Sequence, residues 1–296
     1  MANLKEIRER KASVASTMQI TSAMKMVSAA KLKKAQDAIV RFRPYADKLK
    51  EILASVGDSM KDDDDNEYGV QRDKERILLV LITSNRGLCG AFNSNVIKAT
   101  IQRALSTYNS QMMARQVDFI AIGKKGADFL RKKSYNVIHD GSELFDDLTF
   151  DGVAAVAEMI MKLFKDGEYD QVDIVYNAFK NAGTQILTEE QFLPIQVEDL
   201  ASEVSGSVSN VDYIFEPTKE YIVQELIPRS LKLQFYKAIL DSNAAEHGAR
   251  MTAMHKATDN ATELLKELNL QFNKARQASI TNEILEIVGG AEALKG

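Results

Sequence analysis

The stretch IRERKASVASTMQITSAMKMVSAAKLKKAQDAIVRF, residues 7–42, decides the fold. Every seventh residue from Ile7 reads Ile7, Val14, Thr21, Ser28, Ala35, Phe42, Leu49, Val56. Every seventh from Leu4 reads Leu4, Lys11, Met18, Lys25, Leu32, Ile39, Ala46, Leu53, Met60. Thirteen of these seventeen positions are apolar, which is the pattern of a coiled-coil seam. Pro44 is the residue in this run able to kink the helix. Thr21, Lys25 and Ser28 interrupt the seam together, and there the apolar residues move to Ile20, Met24 and Val27, with Met26 beside them. The expectation is a seam that slips at this window, because the pair loosens or because a third surface meets that face. A stutter filled by small residues gives the same pattern.

The other end of the chain reads alike. At alternating spacings of three and four come Met251, Met254, Thr258, Ala261, Leu265, Leu268, Phe272 and Ala275, with no Pro or Gly between Ala249 and Val288. Upstream, Pro217 suits a helix start and Pro228 a kink. Gly289, Gly290 and Gly296 mark an expected frayed end. A single helix cannot bury such a stripe, so the two termini are expected to wind together, antiparallel or nearly so. The chain divides into an N-terminal helix (1–60), a central domain (70–205) and a C-terminal helix (210–296).

The centre changes period. RILLVLIT (76–83) reads as a buried strand, Asn93–Tyr108 as a helix capped by Asn93 or Ser94, and VDFIAI (117–122) as a second strand. Lys125–Lys132 is a short helix, Tyr135–Ile138 a possible strand and Leu148–Phe164 a helix. VDIVYNAF (172–179) and TQILTEEQFLP (184–194) are further strands. Such alternation means a mostly parallel sheet with helices on its faces. The fold class is therefore α/β: a Rossmann-like domain inserted into a long antiparallel two-helix coiled coil.

Composition narrows the function. The 296 residues are 45% hydrophobic and 27% charged, with 4 Pro and no Trp, neither a disordered tail nor a membrane span. No apolar run approaches the roughly 20 residues that cross a bilayer, and MANLKEIRERKASVAS lacks the apolar core of a secretion signal. Direct membrane insertion is not expected. One Cys excludes an intramolecular disulfide and a cysteine zinc site. The net charge of −4 is uneven, for residues 1–43 hold ten Lys/Arg against three acids, and 250–296 are balanced. That basic helix suits an acidic partner, a nucleic acid or an acidic protein surface, as well as a plain solvated face. The acidic run DDDDN (62–66) lacks the spacing of a metal loop and reads as a linker.

Chemistry is sparse. The loops SNRGLCGAFNSN (84–95) and GKKGAD (123–128) follow strands, where ligands bind in such folds. Neither carries the dinucleotide glycine spacing or GxxxxGK[ST]. Cys89 sits among Leu88, Ala91 and Phe92, as a buried inert thiol does. His247 and His255 are eight apart, not the i, i+4 of a helical metal pair. The residues point to no catalytic group, cofactor or metal, and to a mechanical or scaffolding protein. Two other readings compete: an enzyme using a nucleotide-binding α/β domain with a coiled-coil appendage, and a basic tether for nucleic acid. Few aromatics interleave the N-terminal cations, which argues against single-strand binding.

Four stretches carry a family resemblance: ITSAMKMVSAAKLKKAQ (20–36), SNRGLCGAFN (84–93), ARMTAMHKATDNA (249–261) and NKARQASITNEILEIVGGAEAL (273–294). Together they resemble the gamma subunit of F-type ATP synthase, over essentially the whole chain. The resemblance implies a rotating central shaft that binds no nucleotide itself. Its terminal helices would turn inside a ring of alpha and beta subunits, with the α/β domain outside near the epsilon subunit and the c-ring. It implies beta-subunit contacts at Met24, Lys25, Met26 and Lys31, and at Arg276 and Gln277, which match a pair facing a catch loop. It places Thr281 and Glu283 in the upper bearing, and Tyr213 and Glu216, in VDYIFEP (211–217), towards the c-ring. Photosynthetic members carry an inserted cysteine pair, and Cys89 alone cannot form that switch. A bacterial-type peripheral protein on the cytoplasmic side of the cell inner membrane is expected, with no nucleic-acid partner.

Overall fold

The computed structural model describes residues 4–57, 67–195 and 219–293. The elements run α1 (Leu4–Gly57), β1 (Ile77–Ile82), α2 (Phe92–Ser106), α3 (Asn109–Met113), β2 (Val117–Ile122), α4 (Lys124–Lys132), β3 (Val137–Asp140), a 3-10 turn (Ser142–Phe145), α5 (Phe150–Lys165), β4 (Gln171–Asn181), β5 (Thr184–Leu193) and α6 (Lys219–Ala293). Pro44 and Pro228 both lie inside their helices. The chain forms two units, one from α1 up to Ala29 with α6 from Arg250, the other from Ala30 to Ala249.

The second unit holds a five-stranded sheet in the order β3-β2-β1-β4-β5. β1 pairs parallel with β2 and β4, β2 parallel with β3, and β4 antiparallel with β5. β1 is central and every side chain of its ILLVLI is buried, as expected of a strand covered on both faces. Strand alternation sends Leu78, Val80 and Ile82 to one core with α5 and with Leu231, Phe235 and Ile239 of α6. Ile77, Leu79 and Leu81 go to the other, with Val96 and Ala104 of α2 and Leu130 of α4. Each such side chain removed from water contributes about 1.5–3 kcal/mol, and β1 contributes six.

A charged network closes the α2 side. Asp173 of β4 is fully buried. It accepts hydrogen bonds from Arg103 Nε at 2.6 Å, Tyr108 Oη at 2.5 Å and Gln171 Nε2 at 2.8 Å. Arg103 also reaches Glu189 of β5 at 2.8 Å. Burial works against the Arg103 charge, yet the hydrogen bond and charge of Asp173 outweigh it and hold the guanidinium more basic than usual. Burial first, then the Asp173 charge, push the Tyr108 phenol above its ordinary range.

Three expectations change. α2 starts at Phe92, after Ala91, and no side chain caps it. Asn93 is drawn away instead: its Oδ1 accepts from the Ser84 backbone N–H at 2.8 Å and its Nδ2 donates to Ser84 Oγ at 2.8 Å. α3 and the 3-10 turn are too short for a periodicity to reveal. Gly289 and Gly290 do not end α6, which continues to Ala293. The helical hydrogen bonds there outweigh two glycine penalties of roughly 1 kcal/mol each.

Candidate functional site

In the first unit, α1 and α6 run antiparallel. Arg8 and Lys11 of α1 lie over the Phe272 ring at 5.9 and 5.7 Å from its centroid. Further along α1, Met18 Sδ accepts from Thr262 Oγ1 at 3.5 Å, and Thr21 shares a 2.9 Å hydrogen bond with Thr258. As numbers rise on α1 they fall on α6. Ile7, Met254, Ala261 and Leu268 are buried along this pair.

The seam does not slip at the polar window. Thr21 and Ser28 stay buried in heptad register. Their hydroxyls are satisfied, Ser28 Oγ donating to the Met24 carbonyl at 2.7 Å and Thr21 lying 3.1 Å from the Met18 carbonyl. A threonine or serine on a helix can bury its hydroxyl by bonding its own preceding turn, so small polar residues replace apolar ones without breaking the stripe. The apolar residues that seemed to continue the seam point outward: Ile20 is 57%, Met26 64% and Val27 56% exposed. Met24 and Lys25 are half-buried beside them, and Lys31 is exposed. The window therefore presents an apolar patch with cations next to it.

The far end of α6 is bare. The register above sets Leu4 opposite the region of Arg276, and every residue from Arg276 to Ala293 is exposed. That leaves about 26 Å of single helix at 1.5 Å per residue. Gln277, Thr281 and Glu283 lie on it, the Thr281 hydroxyl donating to the Gln277 carbonyl at 2.9 Å. Ile280, Ile284, Leu285, Ile287 and Val288 form an exposed apolar set on the same stretch. Sequence reading stopped its stripe at Ala275 and missed this set. Its signal was present in the 280, 284, 287/288 spacing. Tyr213 and Glu216 lie outside the described residues.

In the second unit the glycine loops are joints. At Gly123 (φ 106°) a Cβ would lie 2.1 Å from the Thr83 carbonyl oxygen, so only glycine fits this strand-to-helix turn. Cys89 is buried against Phe92, Ala245 and Ala249, seating α6 on the loop after β1. Its sulfur accepts from Asn93 Nδ2 at 3.3 Å. Nearby, a Cβ on Gly248 would lie 3.1 Å from Ala182 Cα, so glycine sets the clearance between α6 and the β4–β5 turn. His255 faces Asp259 at 3.4 Å, and no group of metal-ligating side chains occurs among the described residues. No helix among them is long and apolar enough to cross a membrane.

Comparison with known proteins agrees with this geometry. A family model described as ATP synthase matches residues 3–294. The chain is 61% identical to the ATP synthase gamma chain of Flavobacterium psychrophilum and 55% identical to that of Christiangramia forsetii, covering all of both chains in each case. A chain from the Tetrahymena thermophila mitochondrial ATP synthase central stalk and c-ring superposes with a TM-score of 0.58 at 27% identity, over 80% of this chain and 99% of that one. A chain from the Euglena gracilis mitochondrial ATP synthase reaches 0.67 at 23% identity, over 98% and 94%, and shows the same fold. The protein is a member of the ATP synthase gamma chain family.

Proposed function

We propose that this chain is the central rotor shaft of an F-type ATP synthase. It couples ion-driven rotation of the c-ring to the conformational cycle of three catalytic beta subunits, and runs in reverse with ATP hydrolysis. The observation that carries this is the antiparallel α1–α6 pair ending in a bare helix, in a chain whose full-length relatives are gamma chains. Its partners are the alpha and beta subunits of the head, the epsilon subunit and the c-ring. In this reading the subunit is non-catalytic and peripheral, on the cytoplasmic side of a bacterial inner membrane.

The shaft acts as a ligand that changes its face. A ligand shifts a conformational equilibrium only by its differential interaction energy with the two states. Taking a beta subunit from mostly open to mostly closed requires about 5.5 kcal/mol of such difference. The two sides of the pair supply asymmetry. Ile20, Met26 and Val27 are exposed beside Met24, Lys25 and Lys31, so an apolar and basic face sweeps past each beta subunit in turn. Binding coupling is reciprocal, so hydrolysis can drive the shaft as rotation drives synthesis. Arg276 and Gln277, exposed where the pair gives way to a single helix, are assigned to a catch-loop contact. Thr281 and Glu283 belong to the bearing with the apolar set around them. Tyr213 and Glu216 remain assigned to the c-ring on the family resemblance.

Reconstitution tests this directly. The chain is mixed with matching alpha and beta subunits, the complex purified, and a bead fixed to the α/β domain during ATP hydrolysis. The expected result is a stable complex of six head subunits and one shaft, with the bead turning in one direction. A chain that forms no complex and holds nucleotide on its own would replace the rotor by the nucleotide-binding reading.

A further inference from the structure

Resting on the rotor reading, we propose that the hydrogen bond between Thr21 and Thr258 fixes the register of α1 on α6, so that the two helices turn as one shaft. Thr21 is buried in the seam and Thr258 half-buried, with their hydroxyl oxygens 2.9 Å apart. Around them the pair is closed by apolar packing, with Met254 and Ala261 buried one turn to either side of Thr258.

Apolar packing holds two helices together without fixing how far one slides along the other, because the hydrophobic effect has no direction. A hydroxyl pair does have one, and a polar residue at a seam position specifies register for that reason. One heptad either way along α6 stand Met251 and Leu265, and neither offers Thr21 a hydroxyl. Within the native register the bond is lost once the oxygens part by less than about 1 Å more.

The protons fit this role. Thr258 Oγ1 lies 2.8 Å from the Met254 carbonyl of its own preceding turn and donates there. Its lone pairs then accept the Thr21 proton, which has the Met18 carbonyl at 3.1 Å as its other acceptor. If either threonine loses its hydroxyl, the other keeps a carbonyl of its own helix. The bond can therefore be removed without orphaning a polar group, the costly event in a buried site.

Position gives the bond a use. Thr21 lies three residues before Met24 on α1, and Thr258 lies on the helix that carries Arg276 and Gln277 further along. In the rotor, α1 shows one contact face to the head and α6 another, and the register of the pair is their phase. A shaft whose helices shear under load would deliver the two contacts out of step and let hydrolysis run without pumping.

The test uses the whole enzyme reconstituted in vesicles, with ATP hydrolysis and ion pumping measured together, and denaturant melts of the full chain beside it. Thr21→Val and Thr258→Val should each raise the share of hydrolysis that pumps nothing by about two- to ten-fold, the factor that one net hydrogen bond supplies. The double variant should equal either single, because both remove the same bond. Thr258→Ser keeps the hydroxyl and loses a methyl group, and should pump like the wild type. Stability should rank the other way, valine melting at or above the wild type and serine below it, so packing alone does not produce this result. Valine variants coupled like the wild type, effects that add in the double variant, or a serine variant as uncoupled as valine would overturn the register role alone. A wild-type complex that hydrolyses ATP without rotating would overturn the rotor reading, and the register role with it.

Discussion

Asp173 sits at zero exposure near the start of β4, and three hydrogen-bond donors satisfy its carboxyl oxygens there. Removing one partner of a buried pair costs far more than the pair contributes, since it strands the other. Asp173→Ala should destabilise the chain by about 3 kcal/mol in a denaturant melt, while leaving α1–α6 helicity intact before the transition. The phenol of Tyr108 gives a pH test. Its folded pKa is raised above the ordinary 10.0 by burial and by Asp173. The neutral phenol is thus favoured by folding, and that stabilisation is full below pH 10 and lost as pH rises above it. Wild-type stability should fall more steeply above pH 10 than that of Tyr108→Phe; equal slopes would remove Tyr108 from the account. At the other unit, Met24→Lys should melt within about 1 kcal/mol of wild type, because a half-exposed helix position loses little. In the reconstituted enzyme it should lower ATP synthesis per transported ion several-fold. Unchanged synthesis together with unchanged hydrolysis-driven pumping would place the beta contact elsewhere.

Among the elements, the long helices and the buried strands were legible because each carries a strong period. β1 shows an unbroken apolar run, and α1 keeps its heptad through Leu32, Ala35 and Leu49, all buried. What misled was the Thr21–Ser28 window. Residue type alone cannot distinguish a slipped seam from one whose hydroxyls bond their own helix, and the structure shows the second. The start of α2 was misplaced for a related reason. A capping residue is recognised by type, but Asn93 spends its amide on Ser84 and Cys89. The candidate site was half legible. Its residues come from the family resemblance, whereas the outward turn of Ile20, Met26 and Val27 needed the register of the pair. The end of α6 offers an element-scale prediction. Nothing lies within 4 Å of a Cβ built at Gly289 or Gly290, and neither has a positive φ. Gly289→Ala/Gly290→Ala should therefore gain roughly 1 kcal/mol per site in helix propensity, read as slower amide exchange over residues 284–293. Unchanged exchange would mean that the end is held by something other than propensity.

For the molecule as a whole, the charge and apolar surface divide by region. A basic α1 stands on an acidic chain, and exposed large apolar side chains, scattered elsewhere, form close-set groups at the α1 window and at the end of α6. Replacing Ile284, Leu285 and Val288 together by Lys should leave the melting of the isolated chain unchanged, since all three are exposed. It should also abolish any concentration-dependent light scattering, because exposed apolar patches drive association. Scattering that persists would move the sticky surface to the α1 window. The bare end of α6 then has a consequence for supply inside a cell. A newly made chain carries five exposed large apolar side chains on one helix end, and a partner that covers this end removes them from water. On the rotor reading its free concentration would be set by mass action against head subunits, so surplus chains would be lost to aggregation or proteolysis. The stoichiometry of one shaft per head would thus be enforced after synthesis, by the fate of the unsheltered end.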